Sequence, residues 1–291
     1  MLGRLLVVGL IPLVVGSYAA ERLVTQPAVG LIRLETDIWS GSADLVRLQI
    51  AAARADPAVR AVVFHLDSPG GEVAATQSLY LELLSLRRTM PVVTSIEGLA
   101  ASGGYYAAMA TDPIYAKPSS TVGNVGVWGF VPPDLGVNEV ILASGPFKLT
   151  ASNREEFQRE IEGIRQEFHQ TVLNGRLDSE GEQRMVISEE SLSQGLAYPG
   201  REARRLGLVD RLGSLSDAVE EAAQLAGIAN YAVIDLQETV FNRLAAQSGD
   251  DAPFNLPGSE AWTGAADPVT GRRVLAPGIY LLYDVRLGGG S

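Results

Sequence analysis

The apolar positions of the chain fall into three kinds of run. Residues 5–20, LLVVGLIPLVVGSYAA, are uncharged throughout and follow Arg4. Residues 59–66, VRAVVFHL, and 91–96, PVVTSI, are short, nearly continuous and β-branched, as strands buried on both faces of a parallel sheet are. Residues 154–176 instead place Phe157, Ile161, Ile164, Phe168 and Val172 at helical spacing in a charged background, which predicts an amphipathic helix. A first strand is expected over 28–34 and a helix over 40–57, closed by Pro57. A helix over 72–88 ends in Arg87-Arg88, and a short apolar helix begins near Tyr105. Strand, helix, strand, helix at this spacing defines an α/β domain with a largely parallel sheet.

Further along, residues 195–226 read as turn, helix, turn, helix. After residue 228 the periodicity weakens. Residues 248–272 are rich in Gly, Pro, Ser, Asp and Ala and read as a flexible loop, and the run 278–287 is compatible with one last strand. The domain reading is therefore a membrane-targeting segment over 1–20, a connector over 21–27, an α/β domain over 28–228 and an extension over 229–291.

The N-terminal run is close to the roughly 17–25 residues that span a bilayer. Two readings stay open, an uncleaved signal anchor and a signal peptide cleaved near Ser17-Tyr18-Ala19. Arg4 on the N-terminal flank orients either one N-inside, with the remainder exported.

Composition narrows the chemistry. The 291 residues contain no Cys, which excludes thiolate nucleophiles, disulfides and zinc–thiolate sites. His65 and His169 are the two histidines; the first lies within a buried strand and reads as a packing residue, the second sits on the long helix and reads as solvated or partnered. A net charge of −11 argues against nucleic acid as a partner. No metal or cofactor site is expected.

Two Gly-rich turns each follow a buried strand, where ligands of open α/β sheets sit. The first is Asp67-Ser68-Pro69-Gly70-Gly71, whose glycines let backbone N–H groups approach a ligand. The second, Glu97 to Gly104, puts Ser102 at a helix start. An isolated serine there is ordinarily an N-cap. Two glycines just inside the helix cost about 1 kcal/mol each against Ala, so another requirement has to place them there. A nucleophile on a sharp strand-to-helix turn is such a requirement, with the Gly103 N–H as one oxyanion donor. A serine nucleophile needs a base. With neither histidine suitably placed, the chain's two lysines, Lys117 and Lys148, remain. An amine serves only when burial in an apolar site brings its pKa down from about 10.4. Residues 141–154 around Lys148 contain apolar flanks and no acid.

In their order, Leu66 to Gly71, Ala100 to Tyr106, Ser119 to Val127, Gly145-Pro146-Phe147-Lys148 and Gly195 to Gly213 resemble the signal peptide peptidase A family, the Ser/Lys proteases of the Clp/crotonase fold. The resemblance covers most of residues 28–228. It implies a spiral of ββα units, with Ser102 as nucleophile and Lys148 as general base. Gly70 or Gly71, together with Gly103, would form the oxyanion hole. It also implies a membrane-anchored, ring- or dome-shaped homo-oligomer that cleaves remnant signal peptides on the extracytoplasmic side. One position departs from the family: the stretch whose serine orients the lysine reads Gly123-Asn124-Val125-Gly126-Val127, leaving that task to Asn124. Two other readings stand beside this one. A crotonase-like acyl-CoA enzyme would use Glu72 or Glu97 in place of lysine. A membrane scaffold of the same fold with an impaired site would use neither.

Overall fold

The computed structural model describes residues 26–130, 144–145, 147–148, 151–177, 181–182, 184–248 and 279–282, the backbone alone at 247–248 and 279–282. The run 5–20 and the loop 248–272, apart from Ser248, lie outside them.

Strands β1 (Ala28–Leu34), β2 (Val59–Ser68) and β4 (Val92–Ala101) form the centre of a parallel sheet. It is extended on one side by β5 (Ile114–Ala116) and β9 (Arg211–Leu212), and on the other by β10 (Ala232–Asp235), in the order β10-β1-β2-β4-β5-β9. Residues Ala61 to Leu66 of β2 are all buried, as the unbroken apolar run predicts for a strand covered on both faces. Phe64 and Leu66 pack in the larger core with Ile32, Ile96 and Leu79. Ala61 and Val63, on the alternate positions of the strand, pack in a second core with Val29, Val93, Ala218 and Ala222. Period-two alternation is thus what divides one strand between two cores.

Helices α1 (Ser40–Ala55), α2 (Val73–Arg87) and α3 (Gly103–Ala108) lie side by side over the first core. Helix α4 (Arg154–Gly175) packs on α3 through Phe168, whose ring centroid is 5.1 Å from that of Tyr106. Of the stripe expected on α4, Phe157, Phe168 and Val172 are buried, whereas Ile161 and Ile164 are only half-covered. Beyond it come α5 (Glu189–Leu192) and α6 (Gly200–Arg205). The second core is closed by α7 (Leu215–Leu225). Residues past 228, which had no clear pattern, complete the sheet: β10 pairs with β1 and leads into α8 (Leu236–Ser248), which packs on α1.

Both expected turns contain more strand than the sequence suggests. The first holds β3 (Gly70–Glu72), so that β2, β3 and α2 follow one another as a ββα unit. Through the second, β4 continues to Ala101 because Leu99 to Ala101 pair with β6 (Thr121–Gly123). Strand β6 pairs in turn, antiparallel, with β8 (Ala197–Pro199). A second, smaller antiparallel sheet has the order β3-β11-β7, with β7 at Trp128–Gly129 and β11 at Ile279–Leu282. Strand β11 falls inside the last run read as compatible with a strand.

Candidate active site

Ser102 stands between the end of β4 and the start of α3, with φ 51° and ψ −121°. That is left-handed backbone, costly for any residue with a side chain, on the order of 1–3 kcal/mol, and it persists only where the surroundings hold it. Here they do. The Ser102 N–H donates to the Gly123 carbonyl at 2.8 Å, and the Ser102 carbonyl accepts from the Tyr106 N–H at 2.9 Å. Although Ser102 occupies the N-cap position, its side chain makes no capping hydrogen bond. The capping role, ordinary for such a serine, is thus not the one it plays. Its hydroxyl is left for other chemistry on the sharp strand-to-helix turn where hydrolase nucleophiles sit.

The glycine after next explains itself sterically. A Cβ on Gly104 would lie 2.5 Å from the Ser68 carbonyl oxygen, so the start of α3 is pressed directly against the Ser68-Pro69-Gly70-Gly71 segment. The sequence brought these two motifs to neighbouring strands; the contact of Gly104 with Ser68 makes them one site. The first-turn N–H groups of a helix have no intrahelical acceptor, which leaves the Gly103 N–H available beside the serine.

The other oxyanion candidates are more constrained. Gly70, at φ 95°, directs its N–H to Ser68 Oγ at 3.2 Å. On β3 the Ile38 N–H donates to the Gly70 carbonyl and the Glu72 N–H donates to the Ile38 carbonyl, both at 2.8 Å. Alternation along the strand therefore turns the N–H and carbonyl of Gly71 the opposite way, toward β11.

Asn124 follows directly on the carbonyl that holds Ser102. Its φ of 52° is also left-handed, and its Nδ2 donates to the Gly195 carbonyl at 2.7 Å. Among the described residues its Oδ1 has no hydrogen-bond donor, so the oxygen that the family pattern would turn to the lysine is uncommitted.

The two lysines differ. Lys117 forms an ion pair with Glu97, which also accepts from Ser95 Oγ at 2.9 Å. Burial alone would raise the Glu97 carboxyl, but the hydrogen bonds from Lys117 and Ser95 outweigh it and hold the carboxyl below its usual range. Glu97 is thereby kept as a paired carboxylate. His65 is buried, with Nε2 3.8 Å from Glu97 Oε1 and Nδ1 3.1 Å from Glu35 Oε1, off the hydrogen-bonding direction. Lys148 lies in a turn, its N–H donating to the Gly145 carbonyl at 3.2 Å. It is exposed, and the neighbouring Phe147 is 47% exposed. The apolar surroundings expected from its sequence neighbours are not formed by the described residues, because Phe147 turns outward; of residues 131–150 only Ser144, Gly145, Phe147 and Lys148 are described. No hydrogen bond links Lys148 to Ser102 among them. His169 is buried and partnered, its Nε2 3.2 Å from Ser193 Oγ. Among the described residues no group of acidic and histidine side chains is arranged to hold a metal ion.

Behind the site, Arg176 is fully buried and makes a two-pronged bond to Asp210, Nη1–Oδ2 at 2.9 Å and Nη2–Oδ1 at 2.7 Å. Arg184 reaches both Asp210 and Asp112 at 2.9 Å. Nothing in the sequence pattern singled out these residues; an arginine at the end of a charged helix looks like a solvated one.

Comparison with known proteins finds protease relatives. Residues 85–229 match the model of peptidase family S49, and residues 20–122 that of Clp protease. The chain is 32% identical over 202 residues to Protease 4 of Salmonella typhi, covering 65% of this chain and 32% of that protein. It is 30% identical over 195 residues to the chloroplastic serine protease SPPA of Arabidopsis thaliana, covering 62% of this chain and 28% of that one. A solved structure, the 1510-N membrane-bound stomatin-specific protease, aligns with a TM-score of 0.49 at 18% identity, over 72% of this chain and 97% of its own. The chain thus spans about a third of the curated bacterial relative. The molecule is a mixed α/β protein with a Clp-protease-like domain, and its resemblance to the signal peptide peptidase A family is borne out by these matches.

Proposed function

We propose that the protein is a serine endopeptidase in which Ser102 is the nucleophile and Lys148 the general base. The observation that carries this reading is the left-handed Ser102 backbone, held at an N-cap whose side chain caps nothing, against the Ser68–Gly71 segment. Strained backbone at a strand-to-helix turn is maintained where a side chain has to be presented. The hydroxyl attacks the scissile carbonyl, its proton passes to Lys148 Nζ, and the oxyanion that forms is met by the Gly103 N–H; a second donor from the Gly70-Gly71 pair has first to be released from Ser68 Oγ or from β11. The base then protonates the leaving amine, and water releases the acyl group from Ser102. In this reading Asn124 Oδ1 orients the lysine.

Relatives named as SPPA proteases support a peptide substrate. The uncharged run 5–20 supports an N-terminal membrane anchor, with the peptidase domain on the extracytoplasmic side and remnant signal peptides or similar apolar segments as substrates. A ring- or dome-shaped homo-oligomer belongs to the same reading and supplies a further surface to enclose Lys148. The test is acyl-enzyme capture: incubation with an activated peptide ester, acid quench and peptide mapping. An acyl mass on Ser102 is expected. Turnover of the ester with no acyl group on Ser102 overturns the assignment.

A further inference from the structure

The oxyanion of the proposed reaction has one free backbone donor beside it, the Gly103 N–H. Gly70 directs its N–H to Ser68 Oγ at 3.2 Å, and Gly71 turns its N–H toward β11. An oxyanion is ordinarily met by two donors, and side-chain hydroxyls serve as well as backbone amides. Ser68 carries a hydroxyl that the mechanism has not used.

Ser68 is fully buried at the end of β2, in register with Ala100 of β4, which precedes Ser102 by two residues. A Cβ on Gly104 would lie 2.5 Å from the Ser68 carbonyl oxygen and 3.3 Å from Ser68 Cβ. The root of the Ser68 side chain therefore lies against the first turn of α3, next to the residue whose N–H is free. A hydroxyl has one proton to donate and two lone pairs with which to accept. Ser68 Oγ uses one lone pair for Gly70, and among the described residues its proton has no acceptor. Buried donors are ordinarily paired, so an uncommitted one beside the nucleophile calls for an acceptor that arrives with the substrate. Accepting the Gly70 N–H also polarises the Ser68 O–H and makes it the better donor, since hydrogen bonds in a chain strengthen one another.

We propose that the Ser68 hydroxyl is the second oxyanion donor, acting together with the Gly103 N–H, and that Gly70 serves the reaction through it. The proposal rests on Ser102 as the nucleophile. When Ser102 Oγ bonds to the scissile carbon, the π pair of the carbonyl moves onto its oxygen. The Ser68 proton stays on Ser68 Oγ and is donated to that oxygen as a hydrogen bond. Collapse of the intermediate returns the pair to the carbonyl, and Ser68 is unchanged. With Ser68 in this place, neither Gly70 nor Gly71 has to leave its present partner.

The experiment compares the full chain with Ser68→Ala and Ser68→Thr. An Ala- and Leu-rich peptidyl trifluoromethyl ketone, labelled with carbon-13 at the ketone, adds to Ser102 as a hemiketal whose oxygen takes the oxyanion position. The carbon-13 shift follows ionisation of that oxygen with pH, and ketone uptake counts the folded sites to which rates are referred. We expect Ser68→Ala to lose about a hundredfold in kcat, the scale of removing one oxyanion donor, with KM within a few fold. Its hemiketal oxygen should ionise about one to two pH units higher, because a donor to the charged form is gone. Ser68→Thr keeps the hydroxyl and should recover most of both. A kcat of Ser68→Ala within a few fold of the unaltered chain overturns the proposal. So does a loss of kcat with the ionisation unmoved, which is the pattern of a serine that only holds the turn. Failure of the peptidase reading looks different: the unaltered chain then neither cleaves peptide nor takes up the ketone on Ser102, and both readings fall together.

Discussion

The Ser68 carbonyl oxygen stands 2.5 Å from where a Cβ on Gly104 would be, and this contact joins the two halves of the site. Gly104→Ala must push the start of α3 away from the Ser68–Gly71 segment. We expect a loss of about 1–3 kcal/mol of stability, the usual cost of overpacking, measured by denaturant titration. Activity should fall by more than the unfolded fraction explains, since Ser102 and its oxyanion donors no longer share a frame. A stable Gly104→Ala chain with full activity would show that the frame is not needed.

The two lysines should separate cleanly. Lys117 is committed to Glu97, on the side of the sheet that carries His65. Lys117→Ala is expected to keep peptide turnover within a few fold, whereas Lys148→Ala should lose it by about a thousandfold or more, the scale of losing one member of a nucleophile–base pair. Steady-state rates at matched concentrations of folded chain decide this. The reverse pattern would move the base to Lys117.

Glu97 distinguishes the peptidase from an acyl-CoA enzyme. Its carboxylate is held by Lys117 and Ser95 and has no role in the proposed steps. Glu97→Gln should leave peptide hydrolysis intact, and neither chain should hydrate or hydrolyse an acyl-CoA. An acyl-CoA activity that disappears in Glu97→Gln would replace the present reading with the crotonase-like one.

Much of this was legible in the residues. Continuous β-branched runs marked β2 and β4 as buried parallel strands, because nothing but burial on both faces tolerates them. The motifs at Ser68–Gly71 and Ser102–Gly104 are the two segments that the structure brings together as the candidate site. Three things were hidden. Strand β10 is short and half-exposed, so its pairing with β1 leaves no periodic signature. The sequence neighbours of Lys148 are apolar, but a turn presents Phe147 to solvent, and linear composition does not report the direction of a side chain. The partnership of Arg176 with Asp210 joins residues 34 apart, a separation at which no local pattern survives.

That last pair yields a stability prediction. Burial alone would raise the Asp210 carboxyl, yet the hydrogen bonds from Arg176 and the Ile114 N–H hold it below its usual range. A carboxyl depressed in the folded state contributes stability above its unfolded pKa of about 3.9, and the contribution is lost as pH falls through the lower folded value. Thermal or denaturant stability should therefore drop in acid below about pH 4. Asp210→Asn should cost about 3–5 kcal/mol at pH 7, since it leaves Arg176 buried without its countercharge, and should flatten the acid decline.

The most direct test of the central claim is the rate of hydrolysis of an apolar peptide by the unaltered chain and by Ser102→Ala, at equal concentrations of folded protein. The serine-nucleophile account predicts a loss of about a thousandfold or more, with the fold and stability retained. Turnover by Ser102→Ala within a few fold of the unaltered chain would contradict it.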